Sequence, residues 1–113
     1  MKRIEAFGKG TNKWVDAYEK SDIDVIRPHL AIAYEIWMST WIAQGKTDEG
    51  TCTGGKGLQI WYRGPRKRSA DLKIAVEAPP VQGNLSAARS YEPAWRYLKD
   101  RGIETEYYDG WMD

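Results

Sequence analysis

Acid–base or nucleophilic chemistry in this chain has little to draw on: one histidine (His29), one cysteine (Cys52) and the carboxylate pairs Asp22/Asp24, Asp48/Glu49 and Glu104/Glu106. A catalytic histidine needs an orienting carboxylate and a substrate proton within reach. Asp22, Asp24 and Glu35 are near His29 in sequence, but only that nearness recommends them. Just after Pro28, His29 is expected in the first turn of a helix instead. Cys52 becomes a nucleophile with His29 only if the fold brings the two together. Lys46 and Lys56 give its surroundings some positive character. A lone cysteine makes no intramolecular disulfide and no CxxC metal or redox pair.

The first two acidic pairs lack the spacing of an EF-hand and have no histidine beside them, so no metal is expected. Glu104 and Glu106 fall on one face of a strand, where cross-strand pairing with Arg3 or Lys73 is the ordinary use of such carboxylates. FGKGTNK (7–13) and TGGKG (53–57) are rich in glycine and lysine. Neither completes a dinucleotide fingerprint or a Walker A pattern, so both read as turns. No catalytic residue and no cofactor is assigned.

Binding has more candidates. GLQIWYRGPRKRSADLKIAVEA (57–78) reads as a hairpin with Arg63, Arg66, Lys67 and Arg68 at its tip. Such a turn can grip a phosphate backbone, although charge runs at hairpin tips mostly serve solvation. Six tryptophans among 113 residues is a high number. The indole combines large area with one N–H donor, so tryptophan concentrates in cores and at recognition surfaces.

The elements that must position these residues follow from periodicity. Residues 2–7 alternate as a strand. Thr11 or Asn12 is placed to cap a helix running through Trp14, Ala17 and Tyr18. Residues 28–44 fit both helical and strand spacing; their length, their alanines, Pro28 and Gly45 favour a helix. Residues 47–57 are a polar, glycine-rich loop. Residues 58–63 and 70–77 are strands, the second ended by Pro79 and Pro80. A helix over 90–101 is capped by Ser90 and stopped by Gly102, and 103–108 alternate again.

Strand, helix, strand, strand, helix, strand is the ferredoxin-like βαββαβ order, an α+β fold with an antiparallel sheet and two helices on one face. Alternation then places Leu58, Ile60, Tyr62, Leu72, Ile74 and Val76 under the helices. Phe7, Trp61, Lys73 and Tyr108 fall on the open face. Its charges are Arg3, Arg63 and Lys73 against Glu5, Asp71, Glu77, Glu104 and Glu106, which is a poor setting for phosphate. The aromatics on that face read as a surface for a protein or small-molecule ligand, or for a homodimer.

Length and charge agree with this frame. The chain is expected to form a single domain over 1–113. With Lys+Arg 17 against Asp+Glu 16, its formal net charge is +1, so nucleic acid ranks below a protein or small ligand as partner. MKRIEAFGKG lacks the apolar run of a signal peptide, and no stretch is long and apolar enough to span a bilayer. The expectation is a cytoplasmic, non-enzymatic binding protein with no membrane partner; the alternatives are a nucleic-acid binder that uses the 63–68 turn and a small enzyme with a pocket near the 47–57 loop.

Overall fold

A computed structural model describes residues 4–11, 13–50, 55–80 and 83–108. The chain enters as an antiparallel hairpin, β1 (Ile4–Gly8) and β2 (Trp14–Ala17), in the register Ala6↔Val15 and Phe7↔Trp14. The turn between them is closed by Gly8 and Lys13, with Gly10 in the left-handed region at φ 82°. The helix expected through Trp14 is therefore a strand. A strand of four residues shows too few alternations to outweigh the capping signal of Thr11 and Asn12, and its pairing with β1 decides the outcome. Asn12 itself lies outside the described residues.

Helix α1 (Lys20–Ala43) is 24 residues long and starts eight residues before Pro28. The Glu19 N–H donates to Asp22 Oδ2 at 2.9 Å, which satisfies a group at the helix start. Pro28 and Asp24, the residue whose carbonyl Pro28 leaves without its intrahelical donor, are both exposed. Strands β3 (Gly57–Tyr62) and β4 (Ser69–Glu77) form the expected antiparallel hairpin. Two helices follow in place of one, α2 (Asn84–Ser90) and α3 (Glu92–Asp100), and then a three-residue β5 (Glu106–Tyr108).

The sheet order is β2-β1-β4-β3-β5, with β1 parallel to β4 through Phe7↔Ser69 and Gly8↔Ala70. This mixed five-stranded sheet with three helices is not the antiparallel ferredoxin-like arrangement. The extra N-terminal strand occupies the edge beside β1, and a parallel pair replaces an antiparallel one.

The sheet also curls back on itself. Beyond β2, the Tyr18 N–H donates to the Trp61 carbonyl and the Arg63 N–H donates to the Tyr18 carbonyl, each at 2.9 Å. This bridge ties the end of β2 to the end of β3, so β2, β1, β4 and β3 close a small ring. Inside the ring the strands approach closely, and the buried side chains are the methyls of Ala6, Ala17 and Ala70, flanked by Val15 and Trp61. Gly8 completes the fit, since a Cβ there would come within 3.2 Å of the Trp61 ring.

The larger core lies on the other face. Ile26, Ala33 and Trp37 of α1 pack with Leu58 and Ile60 of β3, Val76 of β4, and Ala87, Ala94 and Leu98 of the later helices. Three tryptophans are fixed there by their donors. Trp37 Nε1 donates to Ser90 Oγ at 2.8 Å, Trp41 Nε1 to the Thr47 carbonyl at 2.8 Å, and Trp95 Nε1 to the Thr105 carbonyl at 3.0 Å. The segment expected to be a free loop is clamped in part. Ser86 Oγ accepts from the Glu49 N–H at 2.7 Å, and Asp48 Oδ1 accepts from the Gly83 N–H at 2.6 Å.

Candidate functional site

One irregularity rearranges the faces. Leu58 pairs with Val76, but the next residue of β3, Gln59, pairs with Ile74. Ala75 is thus an extra residue on β4, a β-bulge, and everything before it on that strand changes sides. Ile60 comes opposite Lys73, and Trp61 opposite Leu72. Lys73 consequently lies on the side of α1, beside Ile60 and Tyr62, and not on the open face. Leu72, expected under the helices, stands beside Trp61 and is 42% exposed.

The four residues expected to share one surface are not brought together. Phe7 points away from its neighbours Ala6 and Gly8, on the outer side of the hairpin. There it meets Trp14 edge-on, with ring centroids 5.9 Å apart. Trp14 is the most exposed large apolar side chain described, at 67%. Trp61 is half-buried beneath the hairpin, covered by β1 and β2. Tyr108 is half-buried opposite Gly57, at the end of β3 remote from Phe7.

The basic tip is divided as well. Arg63 is engaged with Glu19 Oε2 at 2.9 Å, bracing the end of β3 against the start of α1. Arg66, Lys67 and Arg68 remain exposed, with Arg66 in the left-handed region at φ 63°. His29 lies in the third turn of α1, with Nδ1 3.1 Å from the Tyr97 hydroxyl of α3. Cys52, Arg3 and Trp111 lie outside the described residues.

On the sheet face opposite α1, a cleft of about 260 Å³ opens between β2 and the approach to β5. Trp61 and Leu72 form an apolar floor, and Asp16, Glu104 and Glu106 supply the polar lining. No cationic side chain lines it among the described residues. Thr105, between Glu104 and Glu106, also borders the cleft but is only 7% exposed, and its Oγ1 is closed off from solvent with no hydrogen-bond partner among the described residues. No three described carboxylate, histidine or cysteine side chains converge closely enough to hold a metal ion.

Trp61, Glu104 and Glu106 were visible in the sequence as residues of an open strand face. Asp16 and Val15 were hidden by the helix expected there, and Leu72 by the unforeseen bulge. Thr105 was read from the same alternation as an inward-facing residue, and it is buried. Comparisons of the chain with protein-family models, curated proteins and solved structures give no match. Among the described residues, no helix is long and apolar enough to cross a membrane.

Proposed function

We propose that this protein is a non-enzymatic binding protein whose site is the Trp61 cleft, and that its ligand is a compact organic cation. The observation that carries this reading is the composition of the cleft: an indole and three carboxylates around one concavity, with no basic side chain among its described lining residues. An ammonium or guanidinium group gains from carboxylates and from an aromatic face together, and most when it is partly desolvated. The small volume favours a ligand of a few heavy atoms over a peptide or a nucleotide.

Titration of the protein with choline and agmatine, followed by calorimetry, tests the proposal. Saturable binding is expected, weakened about tenfold by Asp16→Asn or Glu106→Gln, with acetate showing none. Lack of saturable binding by either cation, or binding indifferent to both substitutions, would overturn it. A labelled single-stranded oligonucleotide serves as the rival ligand. Three exposed cations at the turn predict a salt slope of roughly −2 for that mode. Tight binding with such a slope, abolished by changing Arg66, Lys67 and Arg68, would move the site to the hairpin tip.

A further inference from the structure

Beyond Ala70, β1 no longer accompanies β4, and among the described residues no strand pairs with that side from Leu72 to Glu77. Helix α1 and this free stretch of β4 together border a groove of about 420 Å³. Its apolar lining comes from Ile23 and Leu30 of α1, Ile60 and Tyr62 of β3, and Ala75 at the bulge. Its charged lining is of one sign: Lys20 and Arg27 on α1, and Lys73 on β4. No carboxylate lines it among the described residues. The adjoining hollow, which shares Arg27, Leu30 and Ala75, contains Glu35 and Glu77 and falls outside the site.

The three cations are not equally engaged. Asp24 Oδ2 is 3.3 Å from Lys20 Nζ, and Asp24 Oδ1 is 3.2 Å from Arg27 Nη2. The second contact leaves most of the guanidinium donors of Arg27 unused. Lys73 has no carboxylate partner among the described residues. Asp71, two residues before it, stands 3.8 Å from Lys9 instead. The bulge is what brings Lys73 here: one extra residue turns it away from the cleft face and sets it beside the buried Ile60. A lysine stem can lie along such an apolar wall while its ammonium stays in water. Unpaired cations at the edge of apolar walls match a molecule that carries both an anionic group and an apolar body.

We infer that this groove is a second ligand site, separate from the Trp61 cleft, for a small amphipathic anion: a free carboxylate on a short apolar chain. The carboxylate sits between Lys73 and Arg27, and the chain lies along Ile23, Leu30 and Ile60. Charge complementarity decides the class, because a cation in this groove would meet three like charges and no carboxylate among its described lining. The Trp61 cleft has the opposite lining, with carboxylates and no cation. The two sites therefore select ligands of opposite sign.

Calorimetric titration with hexanoate, octanoate and decanoate, each below micelle formation, tests the inference. One saturable site is expected, with affinity rising about two- to fourfold per methylene as the chain is buried. Lys73→Gln and Arg27→Gln each weaken decanoate binding about tenfold. Both positions are exposed, and circular dichroism verifies that the variants are folded. Choline, the probe for the Trp61 cleft, does not compete with decanoate, so failure at one site is distinguishable from failure at the other. Decanoate that does not saturate, affinity independent of chain length, or displacement by choline would overturn the inference. So would decyltrimethylammonium binding as tightly as decanoate, or decanoate binding indifferent to both substitutions. Binding to vesicles of phosphatidylcholine and phosphatidylglycerol without binding to monomeric decanoate would overturn it too, and would make these cations a membrane contact.

Discussion

Trp61 faces the cleft with one part of its ring and supports the ring of strands with another, so its removal affects two properties at once. Trp61→Ala empties the space between Ala6, Ala17 and Ala70, which strand backbones cannot close without breaking their ladders. A loss of about 2–3 kcal/mol is expected in urea unfolding, the low end for a tryptophan truncation because the side chain is only half-buried. The rim carboxylates separate binding from folding better, because Asp16 and Glu106 are exposed and bear little of the core. Asp24 illustrates the opposite kind of carboxylate. Arg27 and, after it, Lys20 hydrogen-bond its side chain and hold its carboxyl below the usual range. The folded-state pKa is depressed, so the stability it contributes is complete at neutral pH and is lost as pH falls through that depressed value. Asp24→Asn is therefore expected to lower the denaturation midpoint slightly at neutral pH and not at all in strong acid. Parallel denaturation curves at the two pH values check this.

At the scale of elements, the parts with long periodic patterns were legible from the sequence and the short or locally irregular ones were not. Helix α1 was readable because its length and alanines outweighed a competing alternation, although its start lay well before Pro28. The β3–β4 hairpin was readable from two alternating runs about GPRKR. Strand β2 was too short to announce itself, and α2 was not read at all, since the expected helix began at Ser90, the last residue of α2. The bulge at Ala75 left no mark in the sequence, since one extra residue in an alternating run still alternates. Its effect was large all the same: it carried Lys73, one of the four expected site residues, to α1 and brought Leu72 beside Trp61. The clamp between the segment after α1 and the start of α2 was likewise invisible. It now makes a prediction. A Cβ at Gly83 would collide with the Glu49 backbone, so Gly83→Ala is expected to cost about 1–3 kcal/mol as overpacking. Thermal unfolding measures it, and Gly10→Ala, where no atom lies within 4 Å, reports the cost of left-handed backbone strain alone.

At the scale of the molecule, two faces of one sheet serve different ends. The face toward α1 holds the main core and, at its margin, the free edge of β4. The other face holds the acidic cleft, with a wall supplied by the N-terminal hairpin.

The bridge from Tyr18 to Tyr62, together with the parallel pairing of β1 with the start of β4, has a consequence for how the chain is made. As the polypeptide leaves the ribosome, β1 and β2 can form their hairpin at once, since their contacts are local. Neither can find its second neighbour until β3 and β4 have been synthesised, after all of α1. Through that interval the inner surface of the hairpin, with its alanines, has no tryptophan to cover it, and Trp14 is open to whatever is nearby. The closing of the ring is thus a late event joining distant parts of the chain, and the nascent hairpin is the stretch on which a chaperone would act.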